Sequence, residues 1–386
     1  MSPIPGEAPA RKAVASLDML RLIAALLVVL YHYFFLAWSE GSGSGGIRDV
    51  IPEGPVYPWS VPVISAGWVG VEVFFVISGF VITMSAQGKA ASDFFRGRFL
   101  RLIPGVLFFA TCAYLVIVSA GVLPLGVATE RYLRTILLLP KGPWIDGVIW
   151  TLVAEAIFYF LIWLVLCFDK GRDVCWWARV AMIVQAVIWV SVPVSELFTD
   201  QLAQALSTYL ARVTLISTGS FFLLGVFLFE IWRRGKSRAR FAWVLAAYLC
   251  SMVSLYYISR NSVPVRDYGQ SVLAPLAMWS CCIFAAVGFA VLERYRPPSG
   301  TVRSFVRQIG LMTYPLYLVH QITGARFLAF LYATGMADIA AVALAIVVCL
   351  AVSWLFARYV EPRMREALAG WIELPAKWSR GWRIQD

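Results

Sequence analysis

LDMLRLIAALLVVLYHYFFLAW, residues 17–38, is long enough to cross a bilayer and too long for the apolar part of a secretory signal. A hydrocarbon core takes about 20 residues of helix, whereas signal cores run to roughly 7–15 and end at a small-residue cleavage site. Arg11 and Lys12 precede this stretch, Arg21 and His32 lie inside it, and Ala37-Trp38-Ser39 is a poor cleavage site. It reads as an uncleaved anchor. Outward from it, nine more apolar segments follow at 67–86, 102–122, 146–168, 180–194, 212–232, 241–258, 270–292, 308–332 and 338–360. The expected fold is all-α: a polytopic membrane helix bundle of about ten transmembrane helices with both ends inside.

Composition agrees. Of 386 residues 60% are hydrophobic and 14% charged, and so few charges could not cover that much apolar surface in a soluble domain. Basic residues give the orientation, because positive charge collects on the cytoplasmic side. With the N-terminus inside, 25 of the 33 Lys and Arg fall in cytoplasmic segments, and one missed span would scramble that bias. The net charge of +11 is therefore a topology signal, parcelled into short loops, and does not point to nucleic acid. The chain divides into a cytoplasmic tail at 1–16, a transmembrane domain at 17–360 and a cytoplasmic interfacial tail at 361–386. That last tail carries Trp371, Trp378 and Trp382 among basic residues, suited to the inner surface. The seven cysteines have no metal-type spacing, and with two histidines no metal site is expected.

Ionisable residues at membrane depth are costly and so line a cavity, pair, or both. His32 follows Arg21 by eleven residues, three helical turns plus about 20°, which places both on one stripe about 16 Å apart. GWVGVEVFFVISGF (67–80) puts Glu72 near the start of the second span, where it needs a cation or the His32 ring; Gly70 and Gly79 allow close helix packing. WTLVAEAIFY (150–159) brings Glu155 to a depth similar to that of His32, where a carboxylate could orient an imidazole. FFRGRFLRLIP (94–104) sets Arg96, Arg98 and Arg101 at the inner surface, where guanidinium groups could clamp phosphate or simply supply inner positive charge.

Together with TYPLYLVH (313–320), these pieces resemble, in order, the membrane acyltransferase-3 family, whose members acylate glycans, lipids and small metabolites; the likeness covers roughly residues 16–360. The resemblance implies that His32 is the catalytic histidine, with Glu155 and Trp150 in the cavity of the outer half. It implies that Arg96, Arg98 and Arg101 hold the phosphates of an acyl-CoA co-substrate, no cofactor being bound permanently. Tyr317 and His320, three residues apart, would line the same pore with Arg21 and Glu72. Glu72 stands where the family more often has Asp, and an acid of the first outer loop, Asp49 or Glu53, is expected to matter. The implied reaction is O-acyl transfer, most often of acetyl, from cytoplasmic acyl-CoA to a hydroxyl of a carbohydrate or glycolipid at the bacterial inner membrane. The competing reading is a transporter of acyl groups or lipid-linked sugars, for which the same arginines and acids would serve; the spans show neither repeats nor breaks of the transporter kind.

Overall fold

The computed structural model describes residues 15–168, 173–296 and 298–381. Arg11, Lys12, Lys170, Arg172, Trp382 and Arg383 lie outside them, as do the side chains of Arg294, Lys377, Trp378 and Arg380. The described residues form helices joined by loops, with no strand among them. Its principal helices are α1 (Ala15–Tyr31), α2 (Gly70–Ala86), α3 (Ala91–Ser119), α4 (Leu125–Ile136), α5 (Ile149–Phe168), α6 (Val174–Glu196) and α7 (Gly219–Arg234). They continue as α8 (Arg238–Arg260), α9 (Leu273–Tyr295), α10 (Gly300–Val319), α11 (Ala325–Ala333), α12 (Asp338–Leu355) and α13 (Glu361–Gly381).

Among the described residues, eight helices are long and apolar enough to cross a membrane: Ala15–Ser39, Gly67–Ala86, Ala91–Ser119, Ile149–Phe168, Val174–Glu196, Arg238–Arg260, Leu273–Glu293 and Asp338–Trp371. The protein is thus a multi-pass membrane helix bundle. The two remaining expected spans coincide with α7 and with α10–α11. Helix α7 has 16 residues, roughly 24 Å at 1.5 Å each. It begins later than the sequence pattern suggested, because Leu215 takes a left-handed φ of 64° and turns the chain after the short helix Tyr209–Val213. All of α7 but its last turn is buried or nearly so, packed on α2 at glycine contacts: a Cβ on Gly79 would stand 2.0 Å from the Phe222 carbonyl oxygen. Gly70 allows α2 the same closeness to α1, against Ala24.

Helix α3 starts at Ala91, so the arginine-rich stretch is not a loop but its first turns. Positions 98 and 101 share a face, while position 96 is rotated by about 200° from 98. At the other end of the chain, α12 does not stop at 360; it runs through a π-helical turn into α13.

Among the described residues, three π-helical turns interrupt the bundle, at His32–Leu36, His320–Gly324 and Phe356–Val360. Each inserts a residue into the helical register, a device that recurs at functional sites. Here each begins at a buried histidine or immediately precedes a buried acid, Glu361. The first is patched from the loop before α2, whose Ser60 hydroxyl donates to the Phe34 carbonyl at 2.8 Å, as does the Trp38 indole at 2.6 Å. The N-terminus of α1 is capped from α9: Glu293 accepts from the backbone N–H groups of Ala15 and Ser16, both at 3.0 Å.

Candidate active site

A cavity of about 690 Å³ opens between α1, α2, α3, α5 and α10. Arg98 and Arg101 line one wall of its mouth, and Arg21 with Asp18 another. Arg96 is not among the lining residues, as its rotation on α3 requires. Arg98 lies 5.7 Å over the Tyr159 ring and Arg101 5.1 Å over that of Tyr314, so both guanidinium groups rest on aromatic faces. The wall then passes Ser78, Glu155 and Tyr159 and ends at Phe74, Thr151 and Tyr317.

Behind Tyr317 lie the two histidines, both buried and neither lining the cavity. The Tyr317 ring stands 5.7 Å from that of His320 and 5.8 Å from that of Phe74. Its hydroxyl accepts from Thr151 at 3.0 Å and donates to the Val148 carbonyl at 3.4 Å. Tyr317 is therefore a partition held from α5.

The imidazoles touch: His320 Nε2 lies 2.9 Å from His32 Nδ1, which also lies 2.9 Å from the Val28 carbonyl. His320 Nδ1 faces the Leu316 carbonyl at 3.1 Å, so it carries a proton and leaves Nε2 as an acceptor. His32 Nδ1–H then donates to that Nε2, shared with the Val28 oxygen. This pattern assigns the tautomer of His32 and leaves its own Nε2 with a free lone pair, the arrangement a base or nucleophile needs. Tyr33, next in the first π turn, donates its hydroxyl to the His320 carbonyl at 2.8 Å, so the two turns brace each other. Gly324 makes this possible, since a Cβ there would stand 2.3 Å from the Tyr33 hydroxyl.

The carboxylates take partners other than imidazole. Glu155 accepts from the Ser78 hydroxyl at 3.0 Å and the Tyr159 hydroxyl at 2.6 Å. It sits one turn further along α5 than Thr151, about 6 Å nearer the mouth than the Tyr317 level, and its hydrogen-bond partners are hydroxyls and not an imidazole. Glu72 is buried with Oε2 unbonded, and the cation acting on it is Arg212. Arg212 in turn lies 5.9 Å over the Trp150 ring, whose edge meets Phe75. Trp150 is thus set beside Arg212 and away from the cavity wall. Arg21 is bonded to Asp18, and only Arg21 of the Arg21–His32 stripe opens on the cavity. Asp49 organises the loop between α1 and α2, accepting from the N–H groups of Gly43 and Gly45 at 2.6 Å each, while Glu53 is exposed.

Sequence reasoning missed several residues. Asp18 is one; its only signal was a charge inside a span. Arg307 and Arg365 also line the cavity and read in sequence as ordinary inner-face charge. Asp146 is buried and accepts from the Val148 N–H at 3.1 Å, which caps the start of α5.

The acyltransferase domain family matches residues 14–358, and the chain belongs to that family. It is similar to nodulation protein 10 of Rhizobium leguminosarum bv. viciae, 26% identical over 296 residues, which cover 68% of this chain and 74% of that protein. It is also similar to the peptidoglycan O-acetyltransferase OatA of Listeria monocytogenes serovar 1/2a, 32% identical over 103 residues, a quarter of this chain (25%) and 12% of that protein. No solved structure gives a significant match.

Proposed function

We propose that this membrane acyltransferase moves an acyl group, acetyl foremost, from acyl-CoA to a hydroxyl of a carbohydrate or glycolipid. The observation carrying the reading is one cavity that runs from an arginine-lined mouth to Tyr317, against the histidine pair. Donor phosphates sit at Arg98 and Arg101, and the thioester reaches up to Tyr317. A swing of the Tyr317 ring joins this chamber to His32. His32 Nε2 takes the hydroxyl proton as oxygen attacks the thioester carbonyl; the C–O bond forms, the C–S bond breaks, and the leaving thiolate recovers the proton. The same lone pair can instead take the acyl group first and pass it to the hydroxyl. In both routes His320 stabilises the ring by accepting its Nδ1–H.

The acceptor class draws support from the Listeria relative, named for peptidoglycan acetylation. The mouth faces the cytoplasm in this reading, with ten crossings of the bacterial inner membrane and both ends on its cytoplasmic side. Purified protein in proteoliposomes with radiolabelled acetyl-CoA tests it: label should pass to an oligosaccharide as an alkali-labile ester. Label that crosses the membrane without ester formation would mean transport instead.

A further inference from the structure

The donor mouth has two cationic walls, and the second is unexplained by the arginines of α3. Arg307 projects from α10 and Arg365 from α13, and both line the same cavity as Arg98 and Arg101. Arg365 and Arg101 share one carboxylate, Glu361, at 2.5 and 2.9 Å. That carboxylate is almost fully buried and stands directly after the third π turn. A lone surface pair would contribute little. A buried acid clasping two arginines from different helices does something else: it holds two like charges side by side at a cavity rim. The Arg365 Nε is itself buried and without a hydrogen-bond partner. No ion pair or hydrogen bond engages Arg307 among the described residues, and the carboxylate that feels its charge is Asp18.

We infer that Arg307 and Arg365 form a second phosphate subsite, which takes the ribose 3′-phosphate of the donor nucleotide, with Glu361 as the positioning residue between the walls. This rests on the acyl-CoA reading above. Such a donor carries two separated phosphate groups, a diphosphate and a monophosphate, and one pair of arginines on one helix face cannot meet both. The thioester must lie at the closed end by Tyr317, so the adenosine end lies at the most open part of the mouth. Arg307 is exposed there and Arg365 is more exposed than Arg101. The alternative occupant is the phosphate of a lipid headgroup, which shares the chemistry but would not distinguish the two forms of the nucleotide.

The test compares coenzyme A with 3′-dephospho-coenzyme A by calorimetry on the full chain, in a neutral detergent free of anionic lipid. The wild type should prefer coenzyme A by about tenfold or more, as for a lost hydrogen bond to a charged group. Arg307→Ala/Arg365→Ala should bring coenzyme A down to the level of the dephospho form and leave the latter unchanged. Should the alanine pair fail to fold, as thermal unfolding would reveal, Arg307→Lys/Arg365→Lys carries the test and should shrink the preference, since an ammonium lacks the two-pronged fork. A preference that survives in the variant overturns the subsite, as does a wild type that binds both forms equally. Equal loss of both ligands in the variant also overturns it, because the arginines would then serve the mouth as a whole. A wild type that binds neither form overturns the acyl-CoA reading itself, and the subsite with it.

Discussion

His320 Nε2 accepts from His32 Nδ1 at 2.9 Å, a bond between residues 288 positions apart that leaves the outer nitrogen of His32 free. His32→Ala should abolish transfer while donor binding and thermal unfolding stay near wild type, a loss of about 10²–10⁴ in rate if the imidazole acts as base. An active His32→Ala protein would remove the assignment.

His320→Ala removes the acceptor but not the base, so activity should fall without disappearing. His320→Gln, which keeps an acceptor oxygen, should recover part of it. The discriminating readout is the pH–rate profile, which should move in His320→Ala even if expression and unfolding temperature do not. An unchanged profile would reduce His320 to a packing role.

Tyr33→Phe deletes the hydroxyl that bonds the His320 carbonyl and braces one π turn on the other. The cost should be about 0.5–1.5 kcal/mol, the net range for one hydrogen bond. Gly324→Ala should act at the same point by displacing the hydroxyl. Thermal unfolding of both, alone and combined, should give less than additive losses if one contact is the target.

Tyr317→Ala opens the partition between cavity and histidines. Water should then compete for the thioester, raising acyl-CoA hydrolysis relative to transfer; measuring free acid against ester decides it. Tyr317→Phe keeps the ring and should leave the ratio close to wild type.

Cysteines placed at Gly43 and Gly235 should react with an impermeant thiol reagent from opposite sides of the membrane. Labelling of both from one side would break the proposed topology, and with it the placing of the arginine mouth in the cytoplasm.

The polar residues within spans were legible because membrane burial singles out any ionisable group: Arg21, His32, Glu72 and Glu155 need no fold to be noticed. Gly70 and Gly79 were legible for the related reason that helices meet at small residues. The pairing of those groups was not. His32 meets His320 through two π turns, and nothing in local composition marks where a helix takes an extra residue. Arg96 looked equivalent to Arg98 until α3 was seen to begin at Ala91, which turns the two apart. Arg307 and Arg365 carry no signal that separates them from ordinary inner-face charge; only the convergence of α10 and α13 on one mouth does.

The span between the two histidines also has a history in time. Helix α1 is made first and α10 near the end, so while the chain is synthesised His32 waits without its partner through the making of α2 to α9. No contiguous stretch shorter than residues 32–320 contains both rings. Two fragments divided between α9 and α10 would each be inert, yet produced together in one membrane they should regain activity, because the bond that completes the pair depends on helix docking and not on chain continuity.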